Sequence, residues 1–435
     1  MKYKLKERIL KKNAHICIIG LGYVGLPLAI ELGKSGFSIT GVDHNASRVE
    51  AVNKGENYIL DTNISELKEL VNSKKLRAIK DFSMVKNIDI YVICVPTGLT
   101  KNLVPDLQHV ISVAKDISNN LKKGQLICIE STIFPGTTEE IVLPILESTG
   151  LKAEKDFYLI HSPERIDPGN QKYSTKNISK IVGGVGPDSL ELGEIFYSHI
   201  IEKVIPVSSV RVAELAKVHE NTFRAINIAL VNELAMLCDK MDISVWEVLD
   251  AAFTKPFGIM AFYPGPGVGG HCIPIDPHYL EWKAREYNFI TKFIGAAGEI
   301  NRKMPEFVRE KVMRTLNKIG IAPSNSKILI LGMAYKKDTR DYRESPVISL
   351  TEMLLKDGID VSYHDPYVSQ IDIASIQLKS VELNEKNIEN ANIVIIATDH
   401  SEIDYKWIVK TANKIIDTRN ATKNILDREK NVILL

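Results

Sequence analysis

The chain lacks an excess of charge of either sign, and this absence bears on which partners it can bind. Its 435 residues include 55 lysines and arginines against 54 aspartates and glutamates, which gives a formal net charge of +1. A nucleic-acid-binding or membrane-surface protein usually shows a basic imbalance or a basic stripe. We therefore expect no nucleic-acid partner and no membrane partner.

Long apolar runs are also missing. No run in the sequence is long enough to cross the hydrocarbon core of a bilayer. The basic start, residues 2–12, leads into a short apolar run at 16–19 and then directly into a glycine motif. A secretory signal would instead continue into a longer apolar core and a small-residue cleavage site. The expected location is cytoplasmic.

Cysteine is scarce, odd in number and scattered. There are five cysteines, with no CxxC pair and no zinc-type spacing. Three of them, Cys17, Cys94 and Cys128, lie inside apolar runs typical of strands, which indicates core residues in a reducing compartment. We expect no disulfide framework and no metal site.

The order of elements predicts an α/β fold with several domains. Apolar content of 45% and charged content of 25% are typical of a soluble globular protein, and 435 residues exceed one ordinary domain. Short apolar runs alternate with helical segments at both ends, which favours doubly wound sheets with ligands at the carboxyl ends of the strands. Strands are predicted at 14–19, 37–42, 88–95, 126–130, 157–160, 328–331, 361–363, 393–397 and 414–416, with helices at 26–35, 210–252, up to about 318, and 346–356. We expect two Rossmann-like domains, 1–208 and 319–435, joined by a central helical domain, 209–318.

A dinucleotide fingerprint opens the first α/β region. Gly20, Gly22 and Gly25 form a GxGxxG motif between a predicted strand and a predicted helix, with Tyr23 and Val24 inside it. Glycines let the backbone approach a pyrophosphate, and the helix amino terminus stabilises its charge. Asp43 ends the next strand, where its carboxylate would accept hydrogen bonds from the adenosine ribose and repel a 2′-phosphate. The motif predicts NAD rather than NADP, although the nearby Arg48 is a residue type that accommodates a 2′-phosphate.

The second unusual feature is a cysteine in a glycine-rich turn. Cys272 follows Gly269, Gly270 and His271, and Asp276 lies four residues further on in an Asp-Pro pair. A thiol in such a polar turn is a candidate nucleophile, because it needs only modest help to react as thiolate. The alternatives are a buried core cysteine and an aspartate that merely forms the turn.

Six motifs in order resemble the UDP-glucose/GDP-mannose dehydrogenase family, from about residue 14 to the carboxyl end. They are Gly20-Leu21-Gly22-Tyr23-Val24-Gly25-Leu26-Pro27, Glu130-Ser131-Thr132, Ser162-Pro163-Glu164-Arg165, Glu214-Leu215-Ala216-Lys217 with Asn221, the Cys272 loop, and Arg343-Glu344-Ser345-Pro346. The resemblance implies a double oxidation with NAD as hydride acceptor. A primary alcohol at carbon 6 of a nucleotide-linked sugar becomes an aldehyde, then a thiohemiacetal on the cysteine, then a thioester, and water releases the uronate.

The resemblance also implies roles for the matched residues. Cys272 would be the nucleophile, while Lys217 and Asn221, four positions apart on one helix face, would stabilise oxyanions. Asp276 would assist proton transfer or hold Lys217. Glu164 would act as general base for thioester hydrolysis through a water. Thr132 would contact this water and the cofactor.

Further residues are implied in binding. The substrate set comprises Glu164, Arg165, Lys217, Asn221, Phe262, Tyr263, Gly269 and Lys336, and the cofactor set adds Thr97, Thr132 and Arg343 to the glycine motif, Asp43 and Arg48. Gly98 follows Thr97 where the family usually has proline, which leaves the backbone contact at Thr97 open. His161 and His271 are not assigned catalytic roles.

The substrate is the open question at this stage. The Cys272 loop and residues 162–169 resemble the UDP-N-acetylhexosamine branch, so UDP-N-acetylglucosamine is our first prediction. UDP-N-acetylgalactosamine, UDP-N-acetylmannosamine and UDP-glucose stay open, and lipopolysaccharide, capsule and other surface-glycan pathways are all compatible. A two-electron enzyme would not need Cys272, and a non-catalytic nucleotide-sugar sensor would be expected to lack Cys272 or Lys217.

One segment predicts self-association. Residues 225–238 are almost continuously apolar, which is more apolar surface than a single helix normally buries within one chain. We expect an isologous homodimer or a higher homo-oligomer.

Overall fold

The computed structural model describes residues 1–59, 64–100, 102–166, 175–373 and 376–435, so the last part of the 162–169 segment lies outside the described residues. The chain forms two compact units. The amino-terminal unit comprises Met1–Glu220 and His278–Asn288, and the carboxy-terminal unit comprises Asn221–Pro277 and Phe289–Leu435. Because the helical middle is divided between these units, the three-domain division at 208 and 318 stays a prediction.

Within its described residues, the amino-terminal unit contains ten strands and seven complete α-helices, and it also includes parts of two helices of the helical middle. The strands are β1 His15–Ile19, β2 Ser38–Val42, β3 Leu76–Ile79, β4 Ile90–Ile93, β5 Gly98–Leu99, β6 Pro105–Asp106, β7 Leu126–Ile129, β8 Tyr158–His161, β9 Lys180–Gly184 and β10 Val204–Val207. The helices are α1 Lys2–Leu10, α2 Gly25–Lys34, α3 Ala46–Lys54, α4 Ile64–Asn72, α5 Gln108–Ser118, α6 Leu143–Glu147 and α7 Pro187–Tyr197. A π-helical turn, Thr138–Val142, precedes α6.

Eight of these strands form one sheet in the order β10-β9-β8-β7-β4-β1-β2-β3. All neighbours pair in parallel except β8 and β9, which are antiparallel. The chain leaves β1 toward β2 on one side and returns to β4 on the other, so the strand order reverses between β1 and β4. Ligands of doubly wound sheets bind in the crevice at such a switch point.

The basic start of the chain forms a helix that the sequence reasoning did not foresee. Helix α1 buries Leu5 and Ile9 in the core of the amino-terminal unit. Its Lys2 ammonium lies 2.5 Å from a carboxylate oxygen of Asp188 and 2.5 Å from one of Glu191, both on α7. The basic residues are therefore matched by acidic ones within the same unit.

The region 210–252, where helical spacing was predicted, consists of two helices with a break between them. Helix α8, Val210–Met241, contributes residues to both units, and Asp242 then adopts a left-handed φ of 57°. Ser244 caps the next helix by accepting the Glu247 N–H. The remaining helices here are α9 Val245–Ala252, α10 Asp276–Glu286 and α11 Lys292–Lys318.

The carboxy-terminal unit contains a second parallel sheet in the order β12-β11-β15-β16-β17, with a separate antiparallel β13–β14 pair. Its strands are β11 Lys327–Leu331, β12 Asp360–His364, β13 Gln370–Ile373, β14 Ile376–Lys379, β15 Ile393–Ile396, β16 Ile415–Asp417 and β17 Val432–Leu434, and its helices after α11 are α12 Pro346–Lys356, α13 Glu385–Asn390 and α14 Tyr405–Thr411. The strand order reverses between β11 and β15.

The α/β class with two Rossmann-like sheets and a helical middle is confirmed. The central strands of both sheets are buried on both faces, which explains their continuous apolar runs. Within the described part of the chain, no helix has the length and apolarity needed to span a membrane.

Candidate active site

The glycine motif forms a tight turn between β1 and α2. Gly20 has a φ of 93°, and a Cβ there would lie 2.5 Å from the Cys94 carbonyl oxygen. A Cβ on Gly25 would lie 1.8 Å from the Gly20 carbonyl oxygen, whereas one on Gly22 would have no atom within 4 Å. Gly20 and Gly25 are thus required by the turn itself, and Gly22 borders open space where a pyrophosphate can approach the backbone. This cradle fits NAD, the hydride acceptor implied by the sequence.

Asp43 lies beside this turn, at the end of β2. Its Oδ2 accepts the Leu21 N–H at 2.9 Å, and its Oδ1 accepts the Asn45 N–H at 2.9 Å. Arg48 Nη1 lies 3.4 Å from Oδ2, and the Arg48 side chain is 42% exposed. Arg48 therefore faces the carboxylate, and the two charges offset each other at the predicted ribose position.

Two predicted threonines follow strands at the carboxyl edge of the first sheet. Thr97 follows β4 and Thr132 follows β7, and both are partly exposed or half-buried. The hydroxyl of Ser131, next to Thr132, donates to the Val95 carbonyl at 2.7 Å, which joins the two strand ends. The carbonyl of Gly98, the residue that departs from the family pattern, accepts the Tyr279 hydroxyl at 2.8 Å.

Glu164 follows β8 at the same edge. Its Oε1 accepts the N–H groups of Arg165 at 2.6 Å and Ile166 at 2.7 Å. The guanidinium of Arg165 is 2.7 Å from Glu220 and donates to the Ser179 carbonyl at 2.6 Å. In this state Arg165, predicted to bind substrate, is engaged by protein groups.

Helix α8 carries Lys217 and Asn221 one turn apart. The Lys217 side chain is buried, and it has no hydrogen-bond or ion-pair partner among the described residues. An ammonium without a carboxylate partner can pair with negative charge that develops next to it. Lys217 is therefore arranged to receive negative charge, as an oxyanion stabiliser requires.

Glu214 anchors α8 in the amino-terminal unit. Its carboxyl group accepts the N–H groups of Gly136 and Thr138 at 2.6 and 2.9 Å, and the Thr138 hydroxyl at 2.6 Å. Burial raises the pKa of Glu214 to about 7. This residue fixes the helix that carries Lys217 to the segment that follows β7.

In the carboxy-terminal unit, Asn221 is fully buried and hydrogen-bonded. Its side-chain amide donates to the Asp276 carboxylate, and its amide oxygen accepts from Arg224. Two of the predicted catalytic residues, Asn221 and Asp276, are therefore in direct contact.

Cys272 is exposed and lies where α10 begins. Its carbonyl accepts the Ile275 N–H at 3.3 Å and the Asp276 N–H at 2.9 Å, which closes the first helical turn ahead of α10. A thiol at the amino end of a helix is stabilised as thiolate by the helix dipole. This position supports a nucleophile, in contrast to the four other cysteines, which are buried.

Two glycines allow the Cys272 loop to pack closely against the segment that follows β11. A Cβ on Gly269 would lie 2.6 Å from Tyr335 Cβ, and Gly270, with a φ of 86°, donates its N–H to the Arg343 carbonyl at 3.3 Å. Burial and the charge of Arg343 lower the pKa of His271. The Arg343 guanidinium itself is paired with Asp341 at 2.6 Å.

The loop that carries Lys336 is fixed by buried polar groups. Asp365, at the end of β12, accepts the Met333 and Ala334 N–H groups at 2.7 and 3.0 Å. His400 Nδ1 accepts the Asp338 N–H at 3.0 Å, so its Nε2 carries the proton and donates to Asp365 at 3.1 Å. Lys336 is half-buried at this edge, where a cation suits a diphosphate.

Phe262 and Tyr263 pack against helices. Tyr263 stacks on Trp246 with ring centroids 5.9 Å apart, and its hydroxyl donates to Asp250 at 2.9 Å. Phe262 packs edge-on against Phe223 at 6.0 Å. Their predicted contact with substrate stays a prediction.

Sequence reasoning missed two cations at the strand edges. Arg419 follows β16 and donates from Nε to the Ala397 carbonyl at 2.9 Å, and its Nη1 would be 2.6 Å from a Cβ on Gly265. Lys180 begins β9 and is buried. Lys180 is a charged residue at the start of a buried apolar strand, and Arg419 follows two residues after one, which is the signal that would have identified them.

His161 was not assigned a catalytic role from the sequence. It is fully buried, and burial lowers its pKa to about 3. Neither ring nitrogen has a hydrogen-bond partner in the described part of the structure. No cluster of three or more potential metal ligands occurs among the residues that the structure describes.

Comparison with known proteins adds three matches to family models, in order along the chain. The NAD binding domain of the UDP-glucose/GDP-mannose dehydrogenase family matches residues 14–201, its central domain 211–303, and its UDP binding domain 329–424.

Individual relatives match over most of their length. The UDP-N-acetyl-D-mannosamine dehydrogenase of Pyrococcus horikoshii is 36% identical over 414 residues, which cover 94% of this chain and 96% of that protein. The UDP-N-acetyl-D-glucosamine 6-dehydrogenase of Pseudomonas aeruginosa is 36% identical over 363 residues, 83% of this chain and 85% of that protein. The solved structure of the Pyrococcus horikoshii enzyme superposes with a TM-score of 0.88 at 34% identity, covering 97% of this chain and 98% of that one.

Proposed function

Because the chain belongs to the UDP-glucose/GDP-mannose dehydrogenase family and is thus an NAD-dependent UDP-sugar dehydrogenase, we propose that it oxidises carbon 6 of a UDP-N-acetylhexosamine to the uronate. The proposed route uses Cys272 in a four-electron oxidation. The observation that carries it is the buried Lys217, which has no anionic partner among the described residues and lies one helical turn from Asn221.

The proposed roles follow from the chemistry of each group. Cys272 adds to the carbon-6 aldehyde, and the resulting oxyanion is stabilised by the Lys217 ammonium. Asn221 assists, with its orientation supported by its bond to Asp276. Bound NAD would accept the hydride of each oxidation. Glu164 removes a proton from the water that hydrolyses the thioester, and Thr132 helps to hold that water.

The proposed binding residues form two sets. Gly20, Gly22, Tyr23, Val24, Gly25, Asp43, Arg48, Thr97, Thr132 and Arg343 form the proposed cofactor set. Glu164, Arg165, Lys217, Asn221, Phe262, Tyr263, Gly269 and Lys336 form the proposed substrate set. The support is the position of most of them at the carboxyl edges of the two sheets or on the loops next to these edges.

UDP-N-acetylglucosamine is our first candidate among the sugars. Relatives named for UDP-N-acetylglucosamine and for UDP-N-acetylmannosamine are each 36% identical to this chain, which favours an N-acetylhexosamine. The second candidate is therefore UDP-N-acetylmannosamine, the epimer at carbon 2.

The test is a count of NADH per sugar consumed. With limiting UDP-N-acetylglucosamine and excess NAD, the expected ratio is two, and a parallel assay uses UDP-N-acetylmannosamine. A ratio of one with either sugar would contradict the thioester route. Cys272→Ala should lower the turnover rate at least about a thousandfold. Cys238→Ala, which changes a buried cysteine, is the matched control and should keep near-normal turnover.

Assembly and location remain proposals. On α8 the side chains of Phe223, Leu230, Leu237 and Met241 are 42%, 61%, 52% and 56% exposed, and their spacing of seven, seven and four gives one apolar stripe. We propose that a second copy covers this stripe in a homodimer or larger homo-oligomer, which sedimentation velocity would detect. A cytoplasmic location stays a prediction from the sequence.

A further inference from the structure

The one reversed pairing in the first sheet brings a lysine to its carboxyl edge. Strand β9 is antiparallel to β8, with Ile160 opposite Gly184 and His161 opposite Gly183. Continued past the end of β8, this register sets Lys180 opposite Glu164. In a parallel strand the first residue would lie at the other edge of the sheet, so the reversal is what brings Lys180 near the proposed base.

Lys180 is a buried ammonium shared by two carboxylates. Its Nζ lies 2.7 Å from Glu130 Oε2 and 3.6 Å from Glu164 Oε2. The Lys180 side chain is 5% exposed and that of Glu130 is fully buried. Burial lowers the pKa of Lys180, but the nearby carboxylates Glu130 and Glu164 outweigh this effect and raise it above the ordinary lysine value. The lysine is therefore charged.

Glu130 fixes the position of this charge. Its second oxygen, Oε1, accepts the Tyr197 hydroxyl at 2.5 Å, and the Lys180 ammonium lies 5.0 Å from the centre of the Tyr197 ring. Both oxygens of Glu130 thus face donors, and the pair is packed under an aromatic ring. A buried charge pair held in this way has a defined geometry.

Glu164 is oriented from two sides. The backbone N–H groups of Arg165 and Ile166 hold Oε1, and the Lys180 ammonium faces Oε2. A structural pairing of Lys180 with Glu130 alone would not require a second carboxylate at 3.6 Å. The three groups follow or begin neighbouring strands β7, β8 and β9, so the sheet itself sets their spacing.

We propose that Lys180 is a positioning residue for hydrolysis of the thioester, acting through Glu164. This inference rests on the proposed role of Glu164 as general base. In that step the water oxygen bonds to the acyl carbon while Glu164 accepts a water proton, and the carbon–sulfur bond breaks to release the Cys272 thiolate. Glu164 then returns its proton to the thiolate or to solvent. Lys180 holds the Glu164 carboxylate in place during the step, because its ammonium faces Oε2 at 3.6 Å.

The inference separates hydrolysis from the two oxidations. Hydride transfer and thiol addition do not use Glu164, so removal of the Lys180 charge should slow only the last step. The acyl group would then remain on Cys272. A purely structural role for Lys180 would instead impair all steps together.

The experiment compares Lys180→Met with Lys180→Arg by rapid mixing with NAD and a UDP-sugar that the wild type turns over. For Lys180→Met we expect an initial burst of two NADH per site, then steady turnover slowed roughly ten- to hundredfold. Intact-protein mass spectrometry should show the acyl adduct, absent when Cys272→Ala is added. Lys180→Arg, which keeps the charge, should lose less turnover and accumulate less adduct.

A second variant guards against loss of folding. Lys180→Met leaves Glu130 as a buried charge without its cation, so Lys180→Met with Glu130→Gln removes both charges and is expected to fold better. The double variant should show the same burst and adduct. Lys311→Met is the matched control, because the Lys311 side chain is nearly as buried, at 8% exposed, and pairs with Asp239 at 2.6 Å. It should lower the melting temperature without an adduct.

Any of three results would overturn the role of Lys180. Unchanged steady turnover in the folded double variant would show that Lys180 does not act on hydrolysis, and an equal loss of burst and turnover would indicate a structural role. If the wild type itself forms only one NADH per sugar, the proposed function fails. If it forms two and the variants accumulate no adduct, only the role of Lys180 fails.

Discussion

In both sheets an aspartate after the second strand accepts backbone N–H groups from the turn after the first strand, but the two aspartates differ in how many donors they face. In the amino-terminal unit Asp43, after the second strand, accepts the N–H of Leu21 in the turn after the first strand. In the carboxy-terminal unit Asp365, after the equivalent strand β12, accepts the N–H groups of Met333 and Ala334 after β11. Each carboxylate thus clamps the turn that borders the switch point of its sheet.

The difference lies in how fully each carboxylate is used. Asp365 also accepts the N–H groups of Tyr367 and Val368 and the ring N–H of His400, which makes five donors for about four lone-pair sites. Among described residues, Asp43 accepts hydrogen bonds from the Leu21 and Asn45 N–H groups and from Arg48 at 3.4 Å, and His44 Nδ1 lies 3.8 Å from its Oδ1. A saturated carboxylate serves the fold, whereas one with remaining capacity suits a ligand such as a ribose.

The largest effect is expected when the glycine turn between β1 and α2 is altered. In Gly25→Ala the new Cβ would lie 1.8 Å from the Gly20 carbonyl oxygen, a backbone atom that cannot move without opening the turn. We expect a loss of about 3 kcal/mol or more in the free energy of unfolding, with NAD binding abolished. Urea denaturation and NAD titration by fluorescence or calorimetry measure the two effects.

Gly22→Ala is the matched control on the same turn. Its Cβ would have no protein atom within 4 Å, so the stability should change by less than about 1 kcal/mol. NAD affinity should still fall, because the methyl group occupies the approach path of the pyrophosphate. Equal stability losses in the two variants would contradict the assignment of Gly25 to the turn and Gly22 to the ligand.

The next test compares the two carboxylates directly. In Asp365→Asn, an NH₂ group replaces one of the two oxygens that face five donors. We expect a loss of roughly 2–4 kcal/mol in the free energy of unfolding. Asp43→Asn should cost about 1 kcal/mol and raise the KM for NAD about tenfold. Denaturation and steady-state kinetics on both variants test whether Asp365 serves the fold and whether Asp43 contributes to NAD binding as proposed.

The pH dependence of stability tests whether the charge of Asp365 contributes to the fold. Burial would raise the pKa of Asp365, but its hydrogen bonds from His400 and the backbone outweigh this and lower it below 3.8. A lowered native pKa means that its contribution is complete above about pH 4 and is lost as the pH falls through the lowered value. The stability gap between wild type and Asp365→Asn should therefore narrow below pH 4. A gap that is constant with pH would show that the charge of Asp365 does not matter.

The sequence predicted this architecture well where signals are local. The glycine motif, Asp43 and the helix Pro346–Lys356 were all predicted from residue type and order, because tight turns and buried strands leave strong local patterns. Strand ends were correct within a few residues. Cys272 was separated from the other cysteines by its glycine-rich turn, and it is the exposed one.

What the sequence did not predict depends on pairing between distant strands. Nothing local to Lys180 indicates that β9 reverses direction, and the contact of Lys180 with Glu130 joins residues 50 positions apart. The same holds for His400 and Asp365, 35 positions apart. The contact between Asn221 and Asp276 was also not predictable, because it depends on how the rest of α8, α9 and the loop that follows bring the chain back.

Arg48→Ala gives the smallest expected effect and tests whether the first site is built for NAD alone. The Arg48 side chain is 42% exposed and lies 3.4 Å from Asp43, so its removal should change stability by less than about 1 kcal/mol. We expect kcat/KM for NAD to fall only two- to fivefold, with no loss of preference for NAD over NADP, because Asp43 itself disfavours a 2′-phosphate. The matched control is Lys54→Ala, which removes an exposed cation that is paired with Glu50 on the same helix. It should leave kcat/KM for NAD and the preference for NAD over NADP unchanged. If the wild type also used NADP and lost that activity in Arg48→Ala, Arg48 would be a phosphate ligand. The main role of Asp43 would then be to pair with Arg48 and not to bind a ribose. Asp43 and Asp365 would then differ only in the burial of their side-chain partners, because Arg48 is 42% exposed and His400 is fully buried.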